Sequence, residues 1–396
     1  MGTTRPALGH APRPRWCLPW RPPSRGPYAR RRRPRGAAAT AIGLVGAGLV
    51  VVLGGAPSAS ATATASATAT AHRQTLRVAA DGTGDFRTVQ AAIDAVPSGN
   101  DKHITLAIAP GTYREQVRIP ADKPHLTLLG TGRHRADTTI VHDTPAEYGG
   151  STGSATVLIA ASDVTARRLT FVNDFDEAAH DLKGEQALAM KTTGDRIVFR
   201  DTAFKGNQDT LMTDSPKLTT NSRVYIRDAY IEGDVDFIYG RATTVIERST
   251  IKALTRGSDT NNGYITAAST WKDNPYGFLI TRSRIVSDAP EQTFHLGRPW
   301  HPGGEPDAIA QVLIRDTYLP AAVKSSAPWT DMSGFPWQEA RFTEYRNTGP
   351  GAAGPEGPAA TRPQMNEADA ADHEVADYLA GTDGWAPQHH TRRCAS

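Results

Sequence analysis

From Ile104 onward the chain is a succession of short apolar runs: ITLAIAP, LTLLG, ATVLIA, LTFVN, QALAM, RIVFRD, RVYIRD, TTVIERS, YITAA, GFLITRS and QVLIRD. Gly, Asn and Asp punctuate them, and their β-rich composition reads as strands. No stretch here is long and periodic enough to be a βαβ crossover helix, which excludes a doubly wound sheet. Several runs close on one signature, an apolar pair followed by Arg or Glu and then Asp, Arg or Ser. It occurs at Arg200, Arg227, Glu247, Arg282 and Arg315, at intervals of 27, 20, 35 and 33 residues. A constant strand core with loops of changing length predicts a solenoid. The expected fold is all-β, a single-domain right-handed parallel β-helix. A β-sandwich would need Asn-Gly or Asp-Gly hairpin turns between most strands, and these are scarce.

Helical spacing appears in two places. TVQAAIDAVP, Thr88 to Pro97, predicts a short capping helix that Asp85 or Thr88 would start and Pro97 would stop. The segment Asn366 to Leu379 predicts a second helix packed on the other end of the fold.

The first 36 residues hold ten Arg and no Asp or Glu, followed by an apolar stretch, Ala37 to Ala56, and a small-residue site at Ala59-Ser60-Ala61. This pattern predicts a secretory signal over residues 1–61. A membrane anchor is the alternative, since about 20 apolar residues can span a bilayer; five glycines between Gly43 and Gly55 and the processing site favour cleavage. Residues 62–74, Ala/Thr-rich, read as a disordered spacer, and residues 75–390 as the folded domain. The expected product is secreted, extracellular and monomeric, with no membrane contact once the signal is gone.

Without the leader the balance is 34 basic against 41 acidic residues, so the basic character of the whole chain belongs to its start. No basic cluster of the kind that binds nucleic acid remains. Cys17 falls in the leader and Cys394 near the C-terminus, which leaves no internal disulfide. Single histidines such as His295 and His301 read as surface or turn residues without zinc-ligand spacing. Neither metal nor cofactor is expected.

The candidate chemistry lies in one repeat. Aligning VFRDTAF at Val198 with VYIRDAYI at Val224 brings Asp209 onto Asp236, 27 residues later. Stacked coils would set the two backbones about 4.8 Å apart. Three segments join the alignment, QALAM from Gln186, QDTLM from Gln208 and VDFIY from Val235. They stack Gln186 on Gln208 and Asp209 on Asp236. Neighbouring side chains on a strand point to opposite faces, so amides and carboxylates share a site only where the chain bends or bulges. Two ionised carboxylates about 5 Å apart repel by roughly 3 kcal/mol at an effective dielectric of about 20, enough to keep one protonated as an acid. The other would stay ionised as nucleophile or base, with amide N–H groups for an oxyanion. Structural polar ladders of Asn, Gln and Asp are the competing reading. Arg298 in HLGRPW offers a cation, and Trp300 a sugar-stacking face.

VAADGTGDFRTVQAAIDAVP, GTYREQV, GEQALAM, GNQDTLM, GDVDFIYG, YITAAST, LGRPW and EYRNTGPGA resemble, in order, the motif series of the pectinesterases of secreted bacterial type. The similarity runs from Val78 to Gly351, and YLAGTDGW looks like the family's closing segment. The resemblance implies a right-handed parallel β-helix that hydrolyses methyl esters of pectin without a metal. It makes Asp236 the nucleophile and Asp209 the general acid, then base. It gives Gln186 and Gln208 the anion hole, Arg298 the hold on ionised Asp236, and Trp300 and Tyr239 contacts to the sugar chain. By the same resemblance Met212 is a further substrate-binding position; it stands where many relatives carry Tyr, Tyr239 where Phe is usual, and Ala268 where Gln or Pro is frequent. Within GTYREQV, Tyr113 and Glu115 read as structural. A lyase or polygalacturonase acting on the pectin backbone, or a non-catalytic carbohydrate-binding solenoid, are the alternatives.

Overall fold

The computed structural model describes residues 74–353 and 360–389. The expected signal and the spacer up to residue 73, with Cys17 and Cys394, lie outside the described residues.

Every ladder between named strands is parallel. They form a ten-stranded sheet and two seven-stranded sheets. A representative coil takes Ile197–Arg200 in the large sheet, Ala203–Lys205 in the second and Leu211–Thr213 in the third. The next repeats the order with Arg223–Arg227, Tyr230–Gly233 and Val235–Gly240, each strand paired to its counterpart one turn back. This is the expected parallel β-helix, and it rules out the sandwich.

Register turns the apolar runs into columns. Leu106, Leu128, Ala166, Phe199, Ile226, Ile246, Ile280 and Ile314 follow one another along the large sheet's inner face. All are buried, and each full-sized member contributes roughly 1.5–3 kcal/mol by leaving water. Glu344 ends the column opposite Ile314. It is fully buried and paired through both oxygens with the equally buried Arg362, at 2.7 and 2.8 Å.

The corner between the first two strands of a coil explains the repeated signature. Its first residue is left-handed at Arg168, Asp201, Asp228, Arg248, Arg282, Asp316 and Arg346, with φ between 48 and 54°. The next residue builds a hydrogen-bonded ladder: the Ala229 N–H donates to Ser249 Oγ, Ser249 N–H to Ser283 Oγ, Ser283 N–H to Thr317 Oγ1 and Thr317 N–H to Asn347 Oδ1. The signature position aligned with Glu247 is Thr281, not Arg282. Arg282 is the corner residue, and GFLITRS carries Thr where the other runs with the signature carry Arg200, Arg227, Glu247 and Arg315.

The N-terminal helix, α1 (Val89–Asp94), starts at Thr88, whose hydroxyl accepts from the Ala91 N–H. Glu115 accepts from the N–H groups of Val89 and Gln90 at 2.8 and 2.9 Å, and the Tyr113 hydroxyl donates to the Ala109 carbonyl. Both residues of GTYREQV therefore have structural work. The C-terminal segment is two helices rather than one, α2 (Glu367–Ala371) and α3 (Val375–Ala380). They lie against the outer face of the large sheet, where Val375, Tyr378 and Leu379 join Tyr225, Val245, Leu279 and Leu313 in a second apolar cluster. That face is apolar from Val198 through Tyr225, Val245 and Leu279 to Leu313, so the helices cover a side of the solenoid and not its end.

Candidate active site

The third sheet places Met190–Thr192, Leu211–Thr213, Val235–Gly240, Gly263–Ala268 and Phe294–Gly297 side by side. Leu211 pairs with Ile238 and Met212 with Tyr239, which preserves the 27-residue offset. Just before that ladder the Asp209 N–H donates to the Val235 carbonyl at 3.0 Å, so Asp209 lies opposite Asp236.

Two bulges resolve the conflict of faces. The pairing slips by one residue between Val235 and Ile238, and the Asp236 backbone is left-handed, φ 50°. Phe237 and Ile238, consecutive in sequence, therefore both enter the core, while the backbone turns at Asp236 beside them. The second slip lies in QALAM. The Ala187 N–H donates to the Gln208 carbonyl, which keeps Gln186 level with Gln208, but the N–H groups of Ala189 and Met190 both donate to Thr210. Met190 consequently pairs with Leu211 rather than with Met212, its partner in the segment alignment. Gly240 closes the strand at φ 126°, where a Cβ would meet the Thr213 carbonyl oxygen at 2.0 Å.

One pocket is lined by Gln186, Gln208, Asp209, Asp236, Tyr239, Arg298 and Trp300, together with Ala267 and Met332. Met212 lies next to it, in an apolar strip with Ala155, Leu188, Tyr239, Ala267 and Trp300. The Tyr239 and Trp300 rings meet edge-on at 5.3 Å. Met332 had no signal in the sequence, since it comes from an irregular segment far along the chain. His295 is not the surface or turn residue that the sequence suggests. It is a strand residue opposite Tyr264, with Nδ1 buried. His301 does sit in a turn, its ring stacked on Phe335.

The two carboxylates differ sharply in their surroundings. Asp236 is 5 % exposed and receives Arg298 through both oxygens, Nε to Oδ1 at 2.8 Å and Nη2 to Oδ2 at 2.6 Å. Burial pushes its carboxyl above the ordinary value, and the hydrogen bonds and charge of Arg298 pull it only part of the way back. Burial pushes the Asp209 carboxyl up to about 8, and the Asp236 charge adds to the rise. The Tyr239 hydroxyl and the Arg298 charge oppose it more weakly. The site thus holds a carboxylate clamped by a cation beside a carboxyl that keeps its proton at neutral pH, with two amides on the same pocket wall.

The pectinesterase family model matches residues 75–382. The chain belongs to the pectinesterase family. As a pectinesterase it is a carboxylic ester hydrolase. It is 35% identical over 321 residues to a pectinesterase of Ralstonia nicotianae, covering 71% of this chain and 80% of that protein. Among solved structures it is similar to a pectin methylesterase in complex with a hexasaccharide, at 30% identity and a TM-score of 0.70, covering 79% of this chain and 98% of that one. The pectin methylesterase of Erwinia chrysanthemi matches at 30% identity and a TM-score of 0.69, over 79% and 98% of the two chains.

Proposed function

We propose that this pectinesterase releases methanol from methyl-esterified homogalacturonan with Asp236 as nucleophile and Asp209 as general acid and then base. One observation carries the reading: of two carboxylates on adjacent turns, Asp236 alone has the bidentate Arg298, while Asp209 is the one driven up to about 8. Asp236 attacks the ester carbonyl at C6, and the N–H groups of Gln186 and Gln208 receive the developing oxyanion. Collapse of the tetrahedral adduct breaks the bond to the methoxy oxygen. Asp209 gives its proton to departing methanol and becomes a carboxylate. It then takes a proton from water, which attacks the acyl-Asp236 anhydride and returns both groups to their starting states. Trp300, Tyr239 and Met212 supply an apolar surface for the sugar chain and the ester methyl groups.

Secretion belongs to the same proposal. Residues 1–61 act as an export signal, 62–74 as a spacer and 75–390 as the enzyme, working as an extracellular monomer. Among the described residues no helix is long and apolar enough to cross a membrane.

Incubation with highly esterified pectin tests the reading. Methanol release with falling pH, abolished in Asp236→Asn, is the expected result. New reducing ends or unsaturated products would mean backbone cleavage, and binding without turnover would mean a carbohydrate-binding solenoid.

A further inference from the structure

The residue that clamps Asp236 is itself held from a second direction. The Arg298 guanidinium meets Asp236 along its edge, and its carbon lies 3.8 Å from the centre of the Tyr264 ring. Tyr264 is fixed in turn. Its ring lies nearly parallel to the His295 imidazole, centres 5.3 Å apart and planes at 22°. The two residues are direct partners on neighbouring strands, and the Asn261 side-chain N–H donates to the Tyr264 hydroxyl at 2.8 Å.

We infer that Tyr264, backed by His295, is a positioning residue that fixes the plane of Arg298 and thereby keeps Asp236 ionised and aimed for attack. This rests on Asp236 being the nucleophile. An edge-on carboxylate leaves a guanidinium free to swing about the axis joining the two groups; a ring against its face removes that freedom. The stack also supplies negative π density to a cation that has been partly withdrawn from water. The His295 imidazole suits the role because it is neutral: burial, with the Lys324 charge adding to it, pushes it down to about 4. A second cation beside Arg298 would work against the clamp. The other charged groups acting at the pair are Asp209, which faces Arg298, and Asp234, which neighbours Asp236.

The position separates from the roles assigned above. Tyr264 stacks on Arg298, so its replacement deletes none of the reacting groups. Its effect therefore reaches the reaction through Arg298, and first through the carboxylate that Arg298 holds, Asp236.

The test compares Tyr264→Phe, Tyr264→Leu and Asp236→Asn in the full chain on esterified pectin, with circular dichroism to confirm folding. Tyr264→Phe keeps the ring face and should retain kcat within about twofold. Tyr264→Leu should lower kcat about tenfold with little change in KM, the scale of one lost cation–π contact. It should also move the acid limb of kcat/KM to higher pH, because a loosened Arg298 raises the pH at which Asp236 ionises. If Tyr264→Leu does not fold, Tyr264→Val carries the same comparison with a residue suited to a strand. An unchanged kcat and acid limb in the folded variant overturns the inference. So does a rise in KM alone, which would make Tyr264 a sugar contact. Activity surviving in Asp236→Asn would instead overturn the nucleophile assignment, so the two failures are told apart.

Discussion

Among the columns of residues that carry left-handed backbone without glycine, the solenoid corner and the aspartate pair use it for different ends. Along the corner of the solenoid, residues such as Asp201, Asp228, Arg248 and Arg282 adopt φ near 50° so that the chain can leave the large sheet. Their side chains reach solvent, and their pairs range from the loose contact of Asp228 with Arg248 at 3.4 Å to the hydrogen bond of Arg282 to Glu247 at 2.9 Å. Asp209 and Asp236, at φ 66 and 50°, lie where the third sheet bulges and line one pocket, in which the Arg298 guanidinium hydrogen-bonds Asp236. A non-glycine residue in this region costs about 1–2 kcal/mol in either place. The backbone is shared, and burial with an unequal distribution of partners converts one column into chemistry.

The largest effect expected is in the buried column. Asp236→Asn should lower methanol release by about 10⁴-fold or more, because the nucleophile is gone while Arg298 and the fold remain. A loss under tenfold would place Asp236 with the corner residues. Steady-state methanol assays decide between them.

Asp209→Asn should lower kcat by about 10²–10⁴-fold, and it also affects stability. A carboxyl raised from 3.8 to about 8 by burial binds its proton more tightly in the folded state than in the unfolded chain. Between those values the folded state holds more protons, so rising pH weakens folding across that window. Asn carries no charge to bury. The variant should therefore gain about 1–3 kcal/mol over the parent at pH 8 and little at pH 4, as read by denaturant titration at both values.

Gln208→Ala should lower kcat by about 10²–10³-fold if its amide receives the oxyanion, with KM for esterified pectin changed less. An equal loss spread into KM would mean a ground-state contact instead. Smallest of all is the corner. Asp228→Asn should alter stability by less than about 0.5 kcal/mol, since its pairs are exposed, and leave methanol release within about twofold.

The outline of this comparison was readable in the sequence, because strands that must fill one continuous core repeat their apolar positions whatever loops separate them. That fixed the solenoid and the 27-residue offset of Asp209 and Asp236. Single-residue slips were not readable. The double donation of Ala189 and Met190 to Thr210, and the bulge at Asp236, depend on which backbone groups find partners, and composition carries no mark of that. The same blindness placed the signature on Arg282 instead of Thr281. Tyr264 carries no role in the sequence, and His295 reads there as a surface or turn residue, for another reason. Their contact runs between strands 31 residues apart, and only register brings an aromatic residue onto an arginine that belongs to a different motif. The C-terminal helices were misplaced because an apolar outer sheet face looks, in sequence, like an ordinary buried strand.

The most direct test of the account is a carboxyl-carbon NMR titration of the aspartates in the parent and in Asp209→Asn. One carboxyl in the parent should titrate with a midpoint near 8, and it should be absent from the variant. Carboxyls that all titrate at ordinary values, or a high midpoint that persists without Asp209, would contradict the division of roles between the two aspartates.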